Sequence, residues 1–181
     1  MKQIQVSIKG TAPLLQHKLS AQVESDLAKS AKKQSGQNKR DDIETYLYKN
    51  AEGVICQPVE HILQAIIKQL SNYKIQGKGK KTFKELGKGA LSGFPELIPH
   101  KIQAYTVDSR TVVIPATKGR TVRERPRLDA WELEFTLEIL NDDLPSDVVK
   151  NALDDAGRES GIGDYRPRFG RFIVTSFKEL T

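Results

Sequence analysis

Cysteine and histidine are scarce in this chain of 181 residues. It has one cysteine, Cys56, and three histidines, so it can form neither an internal disulfide framework nor a cysteine-based metal cage. No apolar run approaches the length of a membrane span, and the N-terminal segment lacks the apolar core of a signal peptide. We therefore expect a cytoplasmic protein that uses no metal or cofactor and contacts no membrane.

The charge of the chain is positive and unevenly distributed. The sequence has 29 Lys and Arg against 23 Asp and Glu, a formal net charge of +6. Basic residues concentrate at 74–127 and 166–171, whereas acidic residues concentrate at 132–159. This separation favours a polyanionic partner over a surface that is charged only for solubility.

Hydrophobic periodicity predicts the main elements of the fold. Residues 3–9 and 131–140 alternate between apolar and polar side chains, which predicts two half-buried strands. Apolar stripes of helical spacing follow Pro58 and Pro145, and each proline is well suited to the first position of a helix. A closing strand is predicted at 171–177.

These elements predict a single α+β domain over residues 1–181. One antiparallel sheet with both helices on one face satisfies every pattern, and this is the ferredoxin-like arrangement that RNA-recognition modules share. The remaining segments are predicted to be insertions at about 19–45 and 74–100 and a basic hairpin arm at about 110–130.

The open face of this sheet is predicted to be acidic. Glu132, Glu134 and Glu138 alternate with apolar residues and therefore share the face away from the helices. Because three carboxylates repel phosphates, we expect nucleic acid to follow the basic loops at an end or edge of the sheet.

The stretch from Gly157 to Phe177 is the strongest candidate for a binding loop. Glycine lets a backbone approach a ligand closely, arginine binds phosphate in a forked geometry, and aromatic rings stack on bases. The candidate nucleic-acid-binding residues of this loop are Gly161, Gly163, Tyr165, Arg166, Arg168, Phe169 and Arg171. The alternative is a structural turn with solvated arginines.

Two further basic segments are candidates for the same path. Long lysine side chains on a glycine-rich loop suit phosphate tracking, although a solvated linker has the same composition. The arginines of the arm are expected to line the same path or to meet a neighbouring subunit. The candidates are Lys78, Lys80, Lys81, Lys84, Arg120, Arg123, Arg125 and Arg127.

The terminal loop resembles that of the RAMP superfamily, the RNA-binding proteins of CRISPR systems. The residues that carry the resemblance are 161–163 and 166–172. Residues 10–17, 125–127 and 131–135, with the same loop, are also similar to a group of phage and prophage proteins. The resemblance implies a ferredoxin-like fold that binds a single strand of RNA and forms a homo-oligomer or filament along it.

Three functions of different classes follow. The leading prediction is a binding protein for single-stranded RNA or DNA, without strong sequence preference. The second is a metal-independent endoribonuclease in which His17, with Tyr46 or Lys18, acts through the 2′-hydroxyl. The third is a structural or assembly protein of a phage. His61 is expected to face solvent and His100 to lie in a loop, so neither is a catalytic candidate.

Overall fold

The computed structural model describes residues 1–18, 42–113 and 119–180. Most of the predicted insertion at 19–45 and the tip of the predicted arm lie outside these residues. No helix in the described ranges is long and apolar enough to cross a membrane.

Nine strands and three α-helices make up the described part of the chain. In chain order they are β1 Lys2–Gly10, β2 Leu14–Leu15, β3 Cys56–Pro58, α1 Val59–Gln69, α2 Lys84–Ala90, β4 Leu91–Phe94, β5 Leu97–Pro99, β6 Thr106–Val113, β7 Arg120–Leu128, β8 Glu132–Ile139, α3 Ser146–Asp155 and β9 Phe172–Leu180.

The main sheet has four strands in the order β4-β8-β1-β9, and all neighbouring strands are antiparallel. Alternation determines its two faces, since Ile4, Val6 and Ile8 of β1 are all buried while the residues between them are exposed or half-buried. With α1 and α3 packed over the apolar face, this is the predicted ferredoxin-like α+β fold, and the prediction is confirmed.

The two core helices begin immediately after the predicted prolines. Pro58 and Pro145 are the N-caps of α1 and α3, so each helix begins one residue later than the prediction, which placed the proline at the first helical position. The buried stripe of α1 includes the predicted apolar residues from Val59 to Ile67. In α3, Val149 is buried as predicted, whereas Val148 is only partly buried because it lies at the edge of the stripe.

The edge strand β4 lies inside the range that we predicted as an insertion at about 74–100. It pairs with β8 from Leu91 to Phe94. A Cβ atom on Gly93 would lie 2.8 Å from the Cγ2 atom of Val59, so the glycine lets α1 approach the strand. A strand of four residues that contains a glycine has a weak sequence signal, which explains why periodicity did not indicate it.

A second sheet of order β2-β7-β6 contains the hairpin arm, strands β6 and β7. In the register of the two strands, Arg110 lies opposite Arg123 and Asp108 lies opposite Arg125. Since side chains alternate along a strand, these four residues and Arg127 share one face of the arm. The opposite face exposes three valines, Val107, Val113 and Val122.

Candidate nucleic-acid interface

The glycine loop, residues 161–171, is fastened to the rest of the protein by backbone hydrogen bonds. Ile162 N donates to Gly170 O (3.0 Å), which closes the loop on itself. Gly170 N donates to Pro13 O and Asp164 N donates to Leu15 O, each over 2.8 Å. The loop is therefore held against the segment that follows β1, and its exposed side chains project from a defined backbone.

The glycines of this loop are required by contacts within the protein. Gly161 and Gly163 have φ angles of +66° and +79°. A Cβ atom on Gly161 would lie 2.7 Å from Phe169 O, and one on Gly163 would lie 2.6 Å from Leu15 O. The close approach that we predicted toward a ligand is thus made toward the chain's own backbone. Of these two glycines, Gly163 also lines the two pockets described below.

An ion pair joins the hairpin arm to the glycine loop. The Nε–H of Arg125 donates to the Asp164 carboxylate, and 5% of the Arg125 side chain is exposed. A guanidinium that is buried and paired in this way is not available to a phosphate. The predicted contact of Arg125 with nucleic acid is therefore replaced by a structural role, which sequence spacing alone did not reveal.

Of the two aromatic candidates in the loop, only Tyr165 is accessible. The residue is 41% exposed, and the guanidinium carbons of Arg110 and Arg125 lie 5.6 and 5.5 Å from the centroid of its ring. Phe169 is 6% exposed and lies beneath Arg110, at 4.7 Å, so it has no free face for a base. Arg110 was not a candidate from the sequence, because its position opposite the loop depends on the arm's docking.

The three arginines of the loop are all exposed. None of Arg166, Arg168 and Arg171 has an ion-pair partner among the described residues. In contrast, Arg127 of the arm pairs with Asp129 at 2.7 Å and approaches Asp108 at 3.7 Å. The loop therefore carries three cations that are free to meet a phosphate.

The remaining predicted cations are exposed but differ in position. Arg120 and Arg123 lie on the outer part of the arm. The lysine segment folds into a small hairpin after α1, in which Ile75 N donates to Lys81 O (2.9 Å) and Phe83 N to Tyr73 O (3.0 Å). The arm and the loop are brought together, whereas none of Lys78, Lys80, Lys81 and Lys84 lines the pockets beside that junction.

Two adjoining pockets flank the loop and share Gly163 and Asp164. The larger has a volume of about 530 Å³, and its wall includes Lys68, Tyr165 and Arg166. The smaller has a volume of about 170 Å³ and is lined by Gln16, His17, Tyr48, Gln57, His61, Gly163 and Asp164. Lys68 had no distinguishing signal in the sequence, because it is an ordinary polar-face lysine of α1.

His61 lies in the wall of the smaller pocket, which corrects the prediction that it faces solvent. Its ring packs edge-on against Tyr48, with centroids 5.4 Å apart. The position is explained by the glycine loop, which packs beside the start of α1 and covers a flank that the helical pattern marks as polar. His17 lines the same pocket, and its ring stacks on that of Tyr46 with centroids 4.7 Å apart. The pairing of His17 with Tyr46 on which the predicted endoribonuclease relies is therefore present.

Burial lowers the pKa of both pocket histidines. For His17, the carboxylate of Asp164 partly offsets the effect by raising the pKa, whereas Arg125 and Arg123 lower it. For His61, Arg166 lowers the pKa further. Both rings are therefore mainly neutral at pH 7. His100, which we predicted to lie in a loop, is 3% exposed, and burial lowers its pKa to about 4.

No family model matches this chain, and no curated protein matches it. Its fold is similar to that of a chain in the cryo-EM structure of the Type III-B Cmr-beta complex bound to cognate target RNA, with a TM-score of 0.56 and 11% sequence identity. The match covers 99% of this chain and 61% of that chain, so the protein spans about three fifths of its neighbour's length. At this identity the likeness shows a shared fold, which supports the ferredoxin-like fold that the resemblance implied.

Proposed function

We propose that this protein binds single-stranded nucleic acid, and RNA in the first place. The observation that carries the proposal is the junction of the arm and the glycine loop, where Arg166, Arg168 and Arg171 are exposed on the same loop as the accessible side chain of Tyr165. Arginines that lack an internal partner suit phosphates, and an exposed aromatic ring suits a base. The structural neighbour belongs to a complex bound to target RNA, which supports RNA over DNA.

The bound strand follows the loop and the arm. The open face of the main sheet is unsuitable because it carries glutamates, although each has a partner: Glu132 pairs with Lys9 and Glu134 with Lys101, each at 3.0 Å. Glu138 accepts a hydrogen bond from Gln3. A phosphate on this face would meet carboxylates whose charge is not fully neutralised, and this repulsion favours the basic edge.

Most of the contacts with the bound strand are independent of its nucleotide sequence. Lysines 78–84 and the outer arginines of the arm supply exposed charge that salt screens. Assembly of several copies along one strand, in a phage, prophage or CRISPR-like system, belongs to the same proposal. The valines exposed on the opposite face of the arm are suitable for contact with a neighbouring copy.

A salt titration tests this function. Fluorescence anisotropy of a labelled single-stranded RNA dodecamer is expected to give a negative slope of log affinity against log salt, about 0.7 per phosphate contact. Replacing Arg166, Arg168 and Arg171 by alanine is expected to reduce the slope by about 2. The control variant removes an equal charge elsewhere, at Lys2, Lys150 and Lys178, and is expected to leave the slope unchanged. A flat slope in the unmodified protein contradicts the proposal.

One observation favours metal-independent RNA cleavage as a second candidate function. His17 and His61 line one pocket, are both mainly neutral at pH 7, and lie beside the exposed loop. A neutral imidazole can accept the proton of a 2′-hydroxyl. Incubation with RNA in the presence of a chelator tests this candidate, which requires cleavage that disappears in His17→Ala. Intact RNA after prolonged incubation rules it out.

A further inference from the structure

The smaller pocket has the size and lining of a site for one flat polar ring. Its volume is about 170 Å³, and every side chain in its wall is polar or aromatic. Drug-sized ligands occupy roughly 300–1,000 Å³, so this pocket accommodates a single ring system and not a whole nucleotide. The rings of His17, Tyr48 and His61 are flat surfaces in its wall.

A chain of hydrogen bonds determines which polar group His61 presents. Tyr48 N donates to Gln16 Oε1 (3.0 Å), so the other end of that amide, Nε2, donates to Gln57 Oε1 (3.1 Å). Gln57 therefore directs its own Nε2 at His61 Nδ1, over 2.6 Å. An amide nitrogen only donates, so Nδ1 is the acceptor and the ring proton is on Nε2. His61 thus offers the pocket a hydrogen-bond donor.

Asp164 supplies the complementary acceptor. Its carboxylate accepts hydrogen bonds from Arg125 Nε and from Tyr165 N, the second over 2.9 Å. An ionised carboxylate has about four lone-pair positions, so two accepted bonds leave capacity for a ligand. The Asp164 side chain is also 36% exposed, which leaves it accessible from the pockets.

We propose that the smaller pocket takes one base of the bound strand and that guanine fits it best. The Watson–Crick edge of guanine places two donors, N1–H and N2–H₂, beside the acceptor O6, which matches a carboxylate beside an N–H donor. The adjoining larger pocket has Lys68 and Arg166 in its wall, so it accommodates the phosphates on either side. This inference rests on the proposed function. It adds one site that distinguishes between bases to binding that is otherwise independent of sequence.

The test compares three RNA dodecamers in the same anisotropy assay. One is oligouridine, one carries a single central guanosine, and one carries inosine at that position, which lacks the N2 amino group. The guanosine strand is expected to bind roughly tenfold more tightly than oligouridine, with the inosine strand between them. Because this comparison uses the unmodified protein, it does not depend on any variant folding correctly. A denaturing gel confirms that the strands remain intact and separates base reading from cleavage.

Three variants assign the preference to the pocket. His61→Ala is expected to reduce the ratio of the two affinities, because the donor to O6 is lost while Asp164 still accepts from N1–H and N2–H₂. Lys68→Ala is expected to weaken both strands equally, since a phosphate contact carries no base information. Gln64→Ala changes an exposed residue of the same helix and is expected to leave both affinities unchanged.

The outcomes separate this inference from the proposed function. Equal affinity for the three strands with a steep salt slope overturns the base pocket and leaves nucleic-acid binding intact. A guanosine preference that is undiminished in His61→Ala also overturns the pocket. Failure to bind any strand, with no salt dependence, overturns both the inference and the function on which it rests.

Discussion

Arg125 of the hairpin arm and Asp164 of the glycine loop form an ion pair in which the guanidinium is almost completely buried. The two residues are 39 positions apart in the sequence and belong to different elements. This pair places the exposed arginines of the loop at a constant position relative to the arm. The candidate interface therefore depends on a contact within the protein, in which the Arg125 guanidinium is too buried to meet the ligand.

Removing one partner of this pair is expected to destabilise the protein. Asp164→Ala leaves the Arg125 guanidinium buried without its counter-charge, and we expect the free energy of unfolding to fall by about 3 kcal/mol. The double variant Arg125→Met with Asp164→Ala removes both charges and is expected to recover at least about 1 kcal/mol of this loss. Urea denaturation measures both values. A single variant as stable as the unmodified protein would show that the pair contributes nothing.

Gly163 and Gly89 are expected to respond oppositely to alanine. At Gly163 the φ angle is +79° and a Cβ atom would lie 2.5 Å from Leu14 Cδ1, so Gly163→Ala is expected to cost about 2–4 kcal/mol. Gly89 lies in α2 with no atom within 4 Å of its Cβ position, so Gly89→Ala is expected to stabilise the protein by about 0.5–1 kcal/mol. Thermal unfolding of the two variants side by side measures the difference, and equal effects would contradict the close approach at Gly163.

Tyr165 is expected to contribute to binding through its ring. Tyr165→Ala is expected to weaken binding of single-stranded RNA by about 1–3 kcal/mol, because a stacked base loses its platform. Tyr165→Phe retains the ring and is expected to bind as the unmodified protein does. The backbone at this position has a φ angle of 59°, and tyrosine, alanine and phenylalanine must all adopt it there. The backbone strain is therefore similar in the three proteins and does not confound the comparison. Anisotropy at constant salt measures the effect, and equal weakening by both variants would assign the role to the hydroxyl group.

Stability is expected to fall as the pH is lowered through the titration range of His100. Its pKa is about 4 in the folded protein, because burial disfavours the charged ring, and 6.5 in the unfolded chain. Between these values the unfolded chain binds the proton and the folded one does not, so acid favours unfolding by roughly 3 kcal/mol from pH 7 to pH 4. This contribution is fully present above pH 6.5 and decreases as the pH falls toward 4.

His100→Phe isolates this contribution. Phenylalanine retains an aromatic edge against Trp131, whose ring centroid lies 6.4 Å from that of His100, and it does not titrate. The variant is expected to lose less free energy of unfolding than the unmodified protein between pH 7 and pH 4.5. Denaturation curves at several pH values measure the two slopes. Parallel slopes would show that His100 is protonated in the folded protein as readily as in the unfolded chain.

Much of the fold could be predicted from the sequence, because apolar residues recur at regular spacing where one face of an element is buried. The alternation of Ile4, Val6 and Ile8 predicts β1 directly, and the stripe after Pro58 predicts α1. In contrast, β4 was not predicted, since Gly93 and the short length of the strand weaken the pattern. The sequence predicted which residue types form the candidate site, but it predicted only partly which of those residues lie close together.

The sequence by itself determined the long periodic elements, the acidic open face of the sheet and the concentration of arginine and glycine near the end of the chain, because each of these depends on the local order and spacing of residues. Tertiary structure alone decided which arginines are free and which residues meet. The docking of the arm on the loop buries Arg125 and leaves Arg166 exposed, and the packing of the loop beside α1 converts the polar-face residue His61 into the wall of a pocket. These contacts join residues far apart in the chain, so no local pattern records them.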